Sequence, residues 1–222
     1  MVRRKKEEAL ATRDLILDTA ECVFQRLGVA ATSLQEIAQA AGLTRGAIYW
    51  HFQNKADVFE AMMQRVALPL ERRLEADDML EAADPLEFLR RAMDNMLAQL
   101  VHDPQVQRVF EIATLKVAYV GDLQVLREQR IASRDGCMED LQRVFSLAAA
   151  QGQIGRAPPP KVAAAGLFAL MDGLLYNWLL DPKAFDLQAI GRHSLNIYLR
   201  GLATGGTSTA SAVKMRTRAT AH

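Results

Sequence analysis

Residues 34–48 read LQEIAQAAGLTRGAI, and this stretch decides the fold. Ala38 is a small residue where two short helices would touch, Gly42 a glycine at the turn, and Ile48 an apolar side chain returning from the second helix to the core. That spacing is what a helix-turn-helix requires. Just upstream, Ser33 and Glu36 form the S-x-x-E pattern of a capping box, satisfying the first free amides of a helix that carries Ile37, Ala38 and Ala41 on one side. Just downstream, Thr44 caps a helix over about 45–52 and Asn54 caps another over about 55–78. Helical periodicity turns Thr44, Ile48 and Phe52 inward and Gly46, Tyr49 and Trp50 outward, with Arg45 and His51 on the flanks.

An exposed aromatic and cationic ledge wastes apolar surface on a plain helical hairpin. It suits a helix pressed into a major groove, where hydroxyl, indole and guanidinium donors meet phosphates and base edges. The missing side chain at Gly46 lets a base or phosphate approach the backbone. Lys55 stands in the first turn of its helix against the helix dipole, a placement that makes sense when an anion binds there. Ser33 serves either as a second phosphate contact or as a plain cap.

Outward from this centre the chain reads as helix throughout, because β-branched alternation is scarce and Ala, Leu, Arg, Glu and Gln dominate. A first helix over about 7–27 carries Ile16, Ala20, Val23 or Phe24, and Leu27 as an apolar stripe, and Gly28 stops it. Asp84-Pro85 and Asp103-Pro104 each open a helix, with Asp as cap and Pro in the first turn. A long helix is expected over about 123–150, a linker with three consecutive prolines over 152–160, and apolar helices over about 161–180 and 187–202. The class is therefore all-α, with about nine helices. Residues 1–54 form a three-helix domain built on the helix-turn-helix, 55–204 a larger helical domain, and 205–222, rich in Gly, Ser, Thr and Ala, a disordered tail.

With 222 residues, 50% hydrophobic and 24% charged, the chain can bury a sizeable core. The apolar run Val162–Met171 is broken by Asp172, short of the roughly 18–20 residues a membrane span needs, so no membrane partner is expected. No secretory signal opens the chain, and Cys22 and Cys137 read as reduced thiols, which points to the cytoplasm. The net charge of +1 says nothing about nucleic acid, but its distribution does: residues 1–55 hold eight Lys/Arg against six Asp/Glu, and four of the eight form the run Arg3, Arg4, Lys5, Lys6. His51, His102, His193 and His222 are not spaced as a metal pair on one helix face. There is no phosphate loop or nucleophile elbow, so no enzyme, metal or cofactor is expected. Asp77, Asp78 and Glu81 read as a solvated helix end.

The C-terminal part offers Met93, Met96, Met138 and Met171 with Phe88, Leu89, Leu97, Phe110, Phe168 and Tyr176. Singly each is ordinary core; together, thioethers and aromatics describe a wall that repacks around apolar ligands. Asp172, set among apolar neighbours, needs a partner: an arginine such as Arg130 or Arg134, or a donor on a ligand. The helix carrying Ala163, Gly166, Leu167, Leu170, Leu174, Asn177 and Trp178 is apolar nearly all round and must be buried on more than one side, and Leu195 and Leu199 stand on the helix after it.

Residues 32–55, TSLQEIAQAAGLTRGAIYWHFQNK, resemble the DNA-binding domain of TetR-family transcriptional regulators. Within that family, TRGAIYWHF and the opening MVRRKKEEA are similar to the AcrR-like repressors of multidrug efflux pumps. The resemblance implies that Thr44, Arg45, Gly46, Tyr49, His51 and Lys55 contact DNA and that Arg3 to Lys6 add minor-groove or phosphate contacts. It also implies a homodimer in which the last two helices build a four-helix interface across a two-fold axis. It extends more weakly to Cys137, 168–173 and Trp178, tips Asp172 toward ligand contact, and marks Cys137, Ser133, Thr114 and Asn177 as weaker ligand candidates. The expected function is repression of an efflux operon, relieved when a hydrophobic compound binds the C-terminal domain. The connection is the fourth helix, kinked at Pro69. Control by a protein partner or by Cys137 oxidation, or of a non-efflux operon, is the alternative.

Overall fold

The computed structural model describes residues 2–71 and 83–204, with side chains described for 6–66 and 83–203. Among the described residues the structure is all helix. The order is α1 (Val2–Leu27), α2 (Leu34–Ala40), α3 (Arg45–His51), α4 (Lys55–Glu71), α5 (Pro85–His102), α6 (Pro104–Leu115), a 3-10 turn (Gly121–Leu123), α7 (Gln124–Ala150), α8 (Pro160–Leu180) and α9 (Leu187–Thr204). The expected tail at 205–222, the extension of α4 to residue 78, the carboxylates Asp77, Asp78 and Glu81, and the side chains of Arg3, Arg4 and Lys5 lie outside the described residues. Pro69 lies within α4, which carries on to Glu71.

Local chemistry fixes these boundaries. Asp84 and Asp103 cap α5 and α6 by accepting from Glu87 N at 2.9 Å and from Gln105 N at 2.9 Å, with a proline in each first turn. Asn54 caps α4, its Oδ1 accepting from Asp57 N at 3.0 Å. The first helix begins at Val2, earlier than its apolar stripe suggests, and buries Ile16, Ala20, Val23 and Phe24, whereas Leu27 is exposed, beyond the reach of the core. The Pro-rich stretch after α7 is tied down more than its composition suggests. Ile154 is buried, Gly155 N donates to Leu202 O at 3.0 Å, and Pro160 already belongs to α8.

Helix α6 is the keystone: it packs against α1 and α4 on one side and α5 and α8 on the other, so one contiguous core runs from the N-terminal three helices into the bundle. A polar node sits in the same seam. Glu21 of α1, 1% exposed, meets the Arg65 guanidinium of α4, accepts from Gln105 Nε2 at 3.0 Å, and lies 3.6 Å from Arg108 of α6; Arg65 also reaches Asp18 at 2.8 Å. Removing one member of such a buried set leaves its partners uncompensated. Glu21→Ala is therefore expected to lower unfolding free energy by about 3 kcal/mol in urea titration. An unchanged midpoint would show that the node contributes nothing to the seam.

Helix α8, 21 residues long with an 18-residue window of mean hydropathy 1.4, is long and apolar enough by those measures to cross a bilayer, more than the interrupted run Val162–Met171 suggests. In this fold one side of it, Ala163, Ala164, Leu167, Met171, Trp178 and Leu179, is buried against α6, α7 and α9.

Candidate nucleic-acid interface

The reading head is assembled by short-range rules. Ser33 Oγ accepts from Glu36 N at 3.2 Å and the Glu36 carboxylate accepts from Ser33 N at 2.8 Å, completing the capping box. The Ser33 hydroxyl, donating to the Glu36 carboxylate at 2.8 Å, and then the Ser33 backbone N–H hold the Glu36 carboxyl below its ordinary range. Ser33 is therefore the cap of α2. Gly42, at φ +68, takes the left-handed conformation that lets Leu43 N return to Ala38 O at 2.9 Å and turns the chain into α3. Thr44 Oγ1 caps α3 by accepting from Ala47 N at 3.2 Å. Its side chain is exposed and not turned inward, because a cap sits ahead of the first helical turn.

Ile48 and Phe52 are buried and anchor α3, while Tyr49 is 47% and Trp50 72% exposed. The Arg45 guanidinium lies 5.4 Å from the Tyr49 ring centroid, and the Trp50 and His51 rings meet edge to face at 4.5 Å. A side chain at Gly46 would find only Thr44 Oγ1, at 4.0 Å, so the face stays open to a ligand backbone. Burial and then the nearby Arg13 charge hold the His51 imidazole below its usual range, so at neutral pH it offers a neutral hydrogen-bonding ring and not a cation. Lys6 is exposed on α1.

Lys55 is placed differently from the sequence reading. Its ammonium donates to Ala30 O at 2.9 Å, stands 3.9 Å from Asp122, and is only 16% exposed. It ties α4 to the turn after α1 and to the 3-10 turn, close to where Val29 N donates to Lys116 O at 3.1 Å. A lysine on phosphate steepens the salt dependence of binding by about 0.9 per contact. Lys55→Ala is expected instead to weaken operator binding without changing that slope in a salt titration. A slope shallower by one contact would return Lys55 to the phosphate.

The C-terminal candidates scatter. A cavity of about 200 Å³ opens between α4, α6, the residue 119 turn and α7, lined by Phe59, Glu60, Met63, Gln64, Ala113, Tyr119, Leu126, Gln129, Arg130 and Ser133. Of the expected ligand residues only Ser133 lines it. Met93 lines a separate groove of about 320 Å³ between α5 and α9. Leu89, Met93 and Met171 are core; Met96, Phe110, Cys137 and Phe168 are half-buried against it, as are Thr114 and Met138 by exposure, and none of these six lines either space. Tyr176 is 45% exposed, on the outer side of α8. Asp172 is also exposed, paired with Arg130 at 3.2 Å, while Arg134 takes Asp135. A carboxylate between apolar neighbours in sequence need not be buried, since those neighbours wrap around the helix.

Of the expected interface residues, Ala163, Leu167, Trp178, Leu195 and Leu199 are buried inside the chain's own bundle and offer no outer surface. Gly166 is filled by Tyr198, whose hydroxyl would stand 2.5 Å from a Cβ there. Leu170 and Leu174 are half-buried against the core, and Asn177 is exposed, its amide donating to Gly173 O at 2.7 Å. Sequence reading missed Phe59, Met63, Tyr119, Leu126 and Gln129. The Phe59/Met63 pair, one turn apart on the helix that follows the reading head, is the signal that could have found part of the cavity.

A capped helix-turn-helix with an exposed aromatic, cationic second helix, mounted on a helical bundle, defines a DNA-binding regulator. Residues 16–62 match the bacterial regulatory proteins of the tetR family, and residues 84–204 match the C-terminal region of MAATS-type transcriptional repressors. The chain belongs to the tetR family. It is 37% identical over 187 residues to the HTH-type transcriptional regulator TtgR of Pseudomonas putida, covering 84% of this chain and 89% of that protein. Among solved structures, NalD, the secondary repressor of the MexAB-OprM multidrug efflux pump in Pseudomonas aeruginosa, superposes with a TM-score of 0.81 at 34% identity, over 90% of this chain and 99% of that one. The complex of triclosan with SmeT, the repressor of the Stenotrophomonas maltophilia pump SmeDEF, superposes with a TM-score of 0.80 at 33% identity, over 93% of this chain and 99% of that one. Regulators of this family are generally DNA-binding proteins without enzymatic activity.

Proposed function

We propose that this chain is a homodimeric, cytoplasmic repressor of a multidrug efflux operon, released from its operator when a hydrophobic small molecule enters the cavity beside α4. The observation that carries this reading is the position of that cavity: Phe59, Glu60, Met63 and Gln64 belong to the same helix whose first residue, Lys55, is tied to the turn after α1. An occupant that shifts α4 shifts the reading head with it. Likeness to NalD, a multidrug efflux repressor, and to SmeT, which binds triclosan, supports the choice of operon and effector.

Two outer stripes support the dimer. Val162, Tyr176 and Leu180 on α8 and Ile190 and Ile197 on α9 are exposed at helical spacing on adjacent helices. A two-fold pairing of that face covers them and presents two α3 helices to successive major grooves, about 34 Å apart. Release requires the effector to prefer the non-binding state, and a tenfold drop in operator affinity needs about 1.4 kcal/mol of such preference. The test is a gel-shift titration on the DNA upstream of the chain's own gene, with and without triclosan and hydrophobic antibiotics. Retarded DNA that is freed by at least one compound supports the reading. Compounds that bind by calorimetry but leave the shift untouched overturn induction.

A further inference from the structure

We infer that Arg13 of α1 holds a backbone phosphate of the operator beside His51, an inference that rests on reading α3 as the helix that meets the duplex. The Arg13 guanidinium carbon stands 5.2 Å from the ring centroid of Phe52, the residue at the C-terminal cap of α3, and the His51 ring lies 6.3 Å from the same centroid. Phe52 is buried, whereas Arg13 and His51 are half-buried and reach solvent. Burial and then the Arg13 charge lower the His51 imidazole, which marks the two groups as neighbours. The Phe52 ring thus gathers a guanidinium from α1 and an imidazole from α3 around one point.

What singles Arg13 out is its uncompensated charge. No ion pair to Arg13 is present among the described residues. Asp18, further along α1, pairs with Arg65 at 2.8 Å, and the Asp57 carboxylate accepts from Gln53 N at 2.9 Å. A ring face attracts a guanidinium without neutralising it, so the fork keeps its positive charge and its donors beside a neutral imidazole. Lys55 makes the contrast, since its ammonium is already engaged by Ala30 O and Asp122. Lys6, exposed two turns before Arg13, falls within about 20° of the same side of α1 and about 10 Å away along it. Phosphates line both sides of the groove a reading helix occupies, and contacts to them fix its register without reading sequence. Arg13 supplies such a contact from a helix outside the helix-turn-helix, so α1 and α3 grip the backbone together.

The test is a fluorescence-anisotropy titration of the full chain on operator DNA across a salt series. The variants are Arg13→Met, which keeps an apolar stem against Phe52, Arg13→Gln, and Arg13→Lys, which keeps the charge. The two neutral variants should bind about tenfold more weakly, with a slope of log affinity against log salt shallower by about 0.9 per subunit bound. The loss should be the same factor on operators with base substitutions, and Arg13→Lys should keep the parent slope. Replacing operator phosphates one at a time by neutral methylphosphonates should locate a position whose loss weakens the parent chain but not Arg13→Met. Thermal melting identifies the variants that are folded. A cation at the end of α3 also suits that helix's dipole, so an arginine with a structural role alone would lower the melting temperature and leave the salt slope unchanged. An unchanged slope in a folded neutral variant, or no methylphosphonate position whose effect depends on Arg13, would overturn the inference while leaving α3 on the duplex. A parent chain that binds no DNA at low salt would overturn the inference and the DNA-binding reading together.

Discussion

Replacing Arg45 and Tyr49 together by alanine should weaken operator binding by on the order of a thousandfold, while leaving the fold and the dimer unchanged. Both side chains stand on the outer face of α3, with the Arg45 guanidinium over the Tyr49 ring, whereas Ile48 and Phe52, which anchor the helix, are buried. Each lost contact to a phosphate or base edge costs about 1–3 kcal/mol, and a symmetric dimer loses every contact twice. Fluorescence anisotropy on operator DNA measures the effect, with circular dichroism as the check on folding. Affinity within a few-fold of the parent chain would mean that this ledge does not lie against the duplex.

The second large effect is expected at the opposite end of the molecule. Ile197, 70% exposed on α9, belongs with Val162, Tyr176, Leu180 and Ile190 to the exposed apolar stripes proposed as the subunit interface. Ile197→Glu puts two carboxylates near the proposed two-fold axis, where burial without a partner is costly. Light scattering at micromolar concentration should show a monomer. Operator affinity should then fall by roughly a hundredfold or more, because a single reading head loses the advantage of a tethered second one. A variant that remains dimeric would place the subunit interface elsewhere.

The N-terminal third was legible because its rules are local. The capping residues Ser33, Thr44 and Asn54, the glycine at 42 and the alternation of Ile48 with Tyr49 and Trp50 each act within a few residues, so reading them required no tertiary information. The same holds for Asp84 and Asp103. What local rules do not reach is long-range. Lys55 reads as a free cation opposing a helix dipole until its partners are known, and these are a carbonyl at Ala30 and a carboxylate at Asp122, far along the chain.

Helix α8 failed for a different reason. With no polar side to mark the solvent, its sequence cannot say which apolar residues face the bundle, so Ala163, Leu167 and Trp178 read as interface although they are core. The cavity was hidden in the same way: Phe59, Ala113, Tyr119 and Leu126 come from four separate segments, and only packing brings them together. Methionines counted along the sequence, by contrast, led mostly to ordinary interior.

Guanine methylation interference combined with hydroxyl-radical footprinting on the upstream DNA tests most directly whether α3 reads a duplex in a symmetric pair. The expected result is two related half-sites about one helical turn apart, each with major-groove guanine interference that disappears in the Arg45→Ala, Tyr49→Ala double variant. A single protected patch, or a footprint indifferent to those two substitutions, would contradict it.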